Sequence, residues 1–302
     1  MRVIITGGTG LIGWALAASL TADGHEVIVL SRNPQGATGL PAGVRIVRWD
    51  AASRQGWEDW AEGAGAIVNL AGENLAEGRW TGARKAEISG SRVRAGQAVT
   101  QAIRNARQKP GVLIQASAVG YYGPHRAEVV DEQTPPGNDF QARVCLDWET
   151  STASIEQLGV RRAVIRSGVV LSRKGGALPR LLRPFFFYAG GPLGSGRQWF
   201  PWIHIADEVG AIRFLIDRPD ARGAFNLSAP NPVTYAELAQ LIGRTLHRPA
   251  LLPAPGFALR LVLGEMATAV LDGQREQPSA LLRLGYSFRY PTLAPALEDL
   301  LS

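Results

Sequence analysis

Residues 6–13 read Thr-Gly-Gly-Thr-Gly-Leu-Ile-Gly, directly after the apolar, β-branched run Val3–Thr6. The glycines satisfy two overlapping patterns, Gly8-x-Gly10-x-x-Gly13 and Gly7-x-x-Gly10-x-x-Gly13. A glycine turn that leaves a strand and opens a helix suits a pyrophosphate. Without side chains, backbone N–H groups approach the phosphates closely, and the helix start points its positive end at them. Gly13 lets the helix pack on the strand. Helical spacing over Leu11–Ala22, with Gly24 just past its end, supplies that helix. NAD sites place Asp or Glu about 20 residues further on to hold the ribose 2′-hydroxyl. Here the run Val27–Leu30 leads into Ser31 and Arg32 instead. A carboxylate repels a 2′-phosphate, whereas a guanidinium pairs with it and a hydroxyl donates to it. The sequence therefore predicts NADP(H) as cofactor.

Further apolar runs at Val44–Val47, Ala66–Leu70, Val112–Ala116 and Arg162–Arg166 follow. The helical patterns Arg84–Arg107 and Phe140–Leu158 separate the last three. Strands alternating with helices predict βαβ units, and their unbroken apolar character predicts strands buried on both faces. The expected fold class is α/β: a Rossmann-type doubly wound parallel sheet with a smaller C-terminal substrate-side region. After about residue 170 the rhythm changes, with Gly175–Gly176, Gly190–Gly191–Pro192 and Gly194–Ser195–Gly196 punctuating a loop-rich region. Asp207–Asp217 and Thr234–Leu246 read as helices on either side of the short run Ala224–Leu227, and Pro249–Pro255 leads into a small C-terminal part. The expected organisation is a nucleotide-binding core over 1–170, to which later segments return, and a substrate-side region over 171–302 that includes a segment at 250–298.

The net charge is +6, but the 32 basic residues are scattered, and all but three are arginine. This speaks against a nucleic-acid surface and suits small anionic ligands equally well. The single cysteine, Cys145, builds no disulfide framework, and histidines at 25, 125, 204 and 247 lack the carboxylate spacing of a metal site, so no metal is expected. The opening Met-Arg-Val-Ile-Ile-Thr-Gly-Gly enters a strand without an apolar signal region. The most apolar stretch, Leu178–Ala189, is broken by Arg180, Arg183 and Pro184. The expectation is a cytoplasmic protein, with a small-molecule partner, an anionic one included, and no membrane span.

The glycine loop, Asn-Leu-Ala-Gly at 69–72, Ser117 after the fifth run and Trp-Ile-His-Ile-Ala-Asp at 202–207 resemble the extended short-chain dehydrogenase/reductase superfamily. NLAGE at 69–73, RW at 79–80, SR at 91–92, GYYG at 120–123, RSGVVL at 166–171, GGPLGSGRQWFPWIHI at 190–205 and LHRP at 246–249 resemble one atypical branch. These are the epimerase-family proteins described as nucleoside-diphosphate-sugar epimerase-like or, in an older label, as cell division inhibitor. The resemblance covers essentially the whole chain. It implies that Gly7, Gly10, Leu11, Ile12 and Gly13 form the pyrophosphate loop, and that Ser31 and Arg32 meet the 2′-phosphate. It further implies that Asp50 meets the adenine amine, and that Leu70, Ala71, Gly72 and Glu73 lie under the ribose and nicotinamide. Glu87 and Arg92 follow on the next helix, and Ser117 and Val170 match the nicotinamide side.

Superfamily enzymes use a Tyr-x-x-x-Lys pair, the lysine lowering the tyrosine pKa. This chain has none: Lys85, Lys109 and Lys174 are preceded four residues earlier by Thr81, Asn105 and Val170. The resemblance places Gln141 where the tyrosine belongs, Cys145 where the lysine belongs, and Arg92 where an asparagine is usual. Candidate catalytic groups are therefore Ser117, at a strand end where open α/β sheets bind ligands, and Tyr121 and Tyr122 before the Gly123–Pro124 break. Each has a bland counterpart: a turn serine and a packed tyrosine pair. The break also keeps Tyr122 and Arg126 off one helical face. Cys145 is either a reactive thiol or a small buried side chain. Arg197 is a candidate grip for an anion, Trp199, Phe200 and Trp202 form an aromatic wall or core, and His204 and Asp207 orient backbone. Two functions fit: an NADP(H)-binding oxidoreductase or epimerase-like enzyme of unknown substrate, or a non-catalytic NADP(H)-binding regulator or sensor.

Overall fold

The computed structural model describes residues 1–124 and 128–302. The first half runs β1 (Arg2–Thr6), α1 (Leu11–Ala22), β2 (Glu26–Ser31), β3 (Arg45–Arg48), β4 (Ala66–Asn69), α2 (Gly82–Asn105), β5 (Val112–Ala118), β6 (Val129–Val130), α3 (Phe140–Thr150) and β7 (Arg161–Ser167). The second half continues with β8 (Val169–Ser172), β9 (Gly175–Gly176), α4 (Leu178–Phe186), β10 (Trp199–Phe200), β11 (Trp202–His204), α5 (Ile205–Asp217), β12 (Gly223–Leu227), β13 (Val233–Thr234) and α6 (Tyr235–Leu246). The last elements are α7 (Gly256–Leu263), α8 (Thr268–Leu271), β14 (Arg275–Glu276), α9 (Ser279–Arg283) and α10 (Leu293–Leu301).

Seven strands form one parallel sheet in the order β12-β7-β5-β4-β1-β2-β3. The winding reverses between β1 and β4, so the loops after these two strands diverge and open a crevice at their C-terminal ends. The pleat sends alternate side chains to opposite faces. Val3, Ile5, Val29 and Val68 pack with Leu16 of α1 and Ile212 of α5, while Ile4, Ile28, Ile67 and Leu113 pack with Ala95 and Val99 of α2. Both faces are covered, which is why these strands read as unbroken apolar runs.

Two departures from the sequence reading bear on the core. The helix expected over Phe140–Leu158 ends at Thr150, and a separate 3-10 turn covers Ala153–Leu158. The Ser151 hydroxyl donates to the Trp148 carbonyl (2.6 Å) and Thr152 Oγ1 to that of Glu149 (3.4 Å), taking acceptors that a further helical turn needs. The short run Ala224–Leu227 becomes β12, the seventh strand, paired with β7 at the sheet edge. With α5 it returns the second half of the chain to the core.

A further cluster lies beyond the sheet's C-terminal edge, with Leu182 of α4, Phe200, Trp202, Tyr235 of α6 and Leu297 of α10. The C-terminal segment is tied in by polar contacts. Asp207, in the first turn of α5, accepts the backbone N–H groups of Arg289 (2.7 Å) and Tyr290 (2.8 Å), and Glu132 accepts that of Ala280 (3.1 Å). Among the described residues, no helix is long and apolar enough to cross a membrane.

Candidate functional site

The loop between β1 and α1 is packed too tightly for side chains. Gly7 has φ +67°, and a Cβ there would fall 2.8 Å from the Leu70 carbonyl oxygen. A Cβ on Gly13 would fall 2.5 Å from the Gly7 carbonyl oxygen. The Gly10 N–H donates to that same oxygen (3.0 Å) and closes the turn. Gly10 then starts α1 with no side-chain cap and no acid in the first turn. The first N–H groups of the helix, with Leu11 and Ile12 among them, stay open to an anion. This bare cradle fits a dinucleotide pyrophosphate.

A buried polar row, which the sequence reading missed, fixes the crevice beside it. Thr6 stands opposite Asn69, and Asn69 opposite Gln115. Thr6 Oγ1 accepts the N–H groups of Leu70 and Ala71 (both 3.1 Å) and donates to Asn69 Oδ1 (2.7 Å), while Asn69 Nδ2 donates to Gln115 Oε1 (2.9 Å). The available signal was that each of these polar residues closes or interrupts an apolar strand.

Ser31 ends β2 buried, its hydroxyl accepting the Asn33 N–H (3.2 Å). The Arg32 side chain is 73% exposed and 3.9 Å from Glu73 Oε2, a surface pairing weak enough to release the guanidinium to an anion. Arg84 holds the Glu73 carboxylate at 3.0 Å, and Ser91 Oγ accepts the Glu73 N–H. Arg92 reaches the same loop. Its Nη1 donates to the Glu73 and Ile88 carbonyls (both 2.9 Å), and a Cβ on Gly72 would meet its guanidinium carbon at 2.9 Å. Burial pulls the Arg92 pKa down to about 10, which leaves it charged at neutral pH. Two predicted cofactor residues are not brought into this group. Glu87 lies exposed on α2, paired with Arg94 (2.7 Å). Asp50 spends its carboxylate on the Ala52 and Ser53 N–H groups (2.9 and 2.8 Å), closing its own turn. Val170 is half-buried on β8, and the β9 turn next to it abuts Leu11, since a Cβ on Gly176 would lie 3.0 Å from Leu11 Cδ2.

The tyrosines and Ser117 belong to a second buried row, in which Ser117 and Asn226 flank Arg166 in the sheet register. Ser117 Oγ donates to Glu149 Oε1 (2.7 Å), and Arg166 grips Glu149 with both ends of its fork (2.9 and 3.0 Å). Arg166 Nη1 also donates to the Tyr122 hydroxyl (3.1 Å), which donates to Asn226 Oδ1 (2.6 Å). Burial lowers the tendency of Arg166 to hold its proton, but the Glu149 carboxylate outweighs it and the net shift is upward. Tyr122 is 1% exposed, and burial pushes its phenol well above the ordinary range. Both hydrogen-bonding roles of its hydroxyl are taken within the row. Tyr121 packs under Arg166, whose guanidinium carbon is 3.4 Å from the ring centroid, and its hydroxyl makes no hydrogen bond among the described residues. Cys145 is buried, its thiol pushed up to about 11 first by burial and then by Glu149, so it stays protonated and inert. Arg126 and His125 lie outside the described residues. Two more buried carboxyls lie near this row. Glu208 accepts from Ser167 Oγ (2.6 Å) and is pushed up to about 8 by burial, while burial raises Glu276 well above its usual value.

A cavity of about 570 Å³ adjoins the cradle, bounded by Asn74, next to the 70–73 loop, and by Gly176, which touches Leu11. Gln141, at the dyad tyrosine's expected place, lines it, as does Phe200. Arg197 is exposed and is not part of this wall. Trp202 is core, and Trp199 lies under the Arg275 guanidinium (4.8 Å to the centroid). His204 holds backbone: its Nδ1 accepts the Ala206 N–H (3.0 Å) and caps α5.

The model of the NAD dependent epimerase/dehydratase family matches residues 3–228, and that of a domain of unknown function, DUF1731, matches residues 254–300. The chain is 43% identical over 303 residues to an epimerase family protein SDR39U1 homolog, chloroplastic, of Arabidopsis thaliana, covering 100% of this chain and 87% of that one. It is 41% identical over 296 residues to the epimerase family protein Mb2239 of Mycobacterium bovis, covering 98% and 96%. The crystal structure of human epimerase family protein SDR39U1 (isoform 2) with NADPH superposes with a TM-score of 0.87 at 36% identity, covering 99% of each chain. A glycine cradle at the reversal point of a parallel sheet, a chain-long likeness to these proteins and a matching family model together place the chain in the NAD dependent epimerase/dehydratase family.

Proposed function

We propose that the chain is an NADP(H)-dependent oxidoreductase acting on a small molecule held in the cavity beside the glycine cradle. One observation carries this reading. A loop too tight for side chains at Gly7 and Gly13 lies by a hydroxyl and an exposed guanidinium, Ser31 and Arg32, where an NAD site has a carboxylate. The NADPH complex of the human relative supports it. Backbone N–H groups of Leu11, Ile12 and Gly13 would hold the pyrophosphate, Arg32 the 2′-phosphate, and the 70–73 loop, backed by Arg92, the ribose. When bound, NADP(H) supplies or takes up a hydride at its nicotinamide ring. The chain itself fixes the Ser117 hydroxyl through Glu149 and Arg166 and offers Tyr121 as the proton donor: its hydroxyl makes no hydrogen bond among the described residues, and it follows Gly120, which Gln141 of the cavity wall abuts.

Calorimetric titration tests the cofactor. NADPH is expected to bind more tightly than NADH, and Arg32→Asp to lower NADPH affinity at least tenfold while sparing NADH, consistent with loss of a charge-assisted bond of about 1.5–3 kcal/mol. Failure of both dinucleotides to bind at millimolar concentration would overturn the reading. Gln141 and Cys145 in the places of the dyad favour a second reading, a non-catalytic NADP(H) sensor. NADPH consumption across ketones, aldehydes and sugars, abolished by Ser117→Ala or Tyr121→Phe, separates the enzyme from the sensor.

A further inference from the structure

The cavity has a different character from a nucleotide-sugar site. Its volume, about 570 Å³, suits a drug-sized molecule. Leu75, Trp80, Phe185, Leu238 and Leu259 typify its wall, and among the described residues Arg180 is the one charged side chain lining it. Arg180 is exposed, with Nη1 already donating to the Ala76 carbonyl (3.2 Å). A sugar-linked pyrophosphate enclosed here would bury two negative charges with almost nothing to pair them, a strongly unfavourable arrangement.

Among the described residues, Asn74, Gln141 and Tyr235 are the uncharged polar residues of the wall that bear an amide or a hydroxyl. Gln141 abuts Gly120, next to Tyr121: a Cβ on Gly120 would lie 3.3 Å from Gln141 Oε1. Tyr235 is 5% exposed, and its hydroxyl has no hydrogen-bond partner among the described residues. A wall this sparing of polar groups suits a ligand with few polar atoms of its own. The helix and helix end that border the cavity are apolar too. Helix α7 buries none of its residues: Leu259 and Leu263 line the cavity, while Phe257, Leu261 and Val262 are 67–75% exposed. The end of α4 likewise leaves Phe186 and Phe187 exposed next to the lining residue Phe185. Large apolar side chains left exposed beside a cavity suit an apolar ligand. Among the described residues, side-chain polar contacts secure α7 at its far end, from Arg79 to the Val262 carbonyl (3.1 Å) and, just beyond, between Lys85 and Glu265 (2.9 Å).

We propose that this cavity binds an apolar molecule with one uncharged oxygen function, an alcohol or its aldehyde or ketone counterpart. The molecule passes beneath α7 along the apolar wall and sets its oxygen at the Gln141 end, where Gln141 abuts Gly120 next to Tyr121. This names the substrate class of the oxidoreductase reading and rests on it, while binding is measured separately from the cofactor. The test is calorimetric titration of the protein, with and without saturating NADPH, using dodecanol and, in parallel, UDP-glucose. Dodecanol is expected to saturate, and UDP-glucose to give no binding at millimolar concentration. Leu259→Arg, on the half-exposed α7, is expected to weaken dodecanol at least tenfold with NADPH affinity unchanged. Gln141→Leu is expected to weaken it roughly fivefold, the value of one neutral hydrogen bond. Dodecanol binding no better than UDP-glucose, or binding indifferent to Leu259→Arg, overturns the proposal. Protein that takes dodecanol but never NADPH overturns the cofactor reading instead.

Discussion

Gly13 shows how a single position sets the chemistry a crevice can accept. Its α-carbon lies so close to the Gly7 carbonyl that a methyl group has nowhere to go, because the neighbour is backbone and not a flexible side chain. Gly13→Ala is expected to lose NADPH affinity by more than tenfold and to destabilise the fold by about 1–3 kcal/mol, read by calorimetry and thermal unfolding. The requirement was visible in the sequence, since the glycine spacing encodes it locally. The reading of Arg32 is local in the same way, because it depends on distance along the chain from the glycines. The setting of Tyr122 was not visible there. Its neighbours in sequence suggest a loop tyrosine, but Arg166 and Asn226, which occupy its hydroxyl, come from strands far along the chain.

At the level of elements, the alternation of apolar runs and helical patterns revealed the core sheet, since both periodicities are local. The end of α3 stayed hidden because hydroxyl groups of Ser151 and Thr152 compete for its last carbonyls, joined there by Arg162 reaching the Glu149 carbonyl from β7. The same helix carries Glu149, which answers the buried charge of Arg166. Removing it as Glu149→Ala leaves a guanidinium 5% exposed and uncompensated, with an expected loss of about 3–5 kcal/mol measured by urea unfolding. The double variant Glu149→Ala/Arg166→Met is expected to recover part of that loss, because two apolar groups need no counter-charge.

Across the whole molecule, proton uptake couples the two halves. Burial pushes Glu208 up to about 8 and raises Glu276, so the native protein retains protons that an unfolded chain has released. The folded state binding more protons, stability falls as pH rises toward 8, by up to about 1.4 kcal/mol per pH unit for one such group. Burial lowers His204, which gives the opposite trend, but that effect ends near its unfolded value of about 6.5. Urea midpoints taken between about pH 6.5 and 8 are therefore expected to decrease, and Glu208→Gln to flatten the slope. Glu276 comes from the matched DUF1731 stretch, Glu208 from the epimerase stretch. Asp207 and Glu132 also clasp the backbone of the former with carboxylates of the latter. In evolutionary terms, the tail is no detachable cassette. Exchanging it for a segment that follows another path would strand the carboxylates of Asp207 and Glu132, which its backbone satisfies.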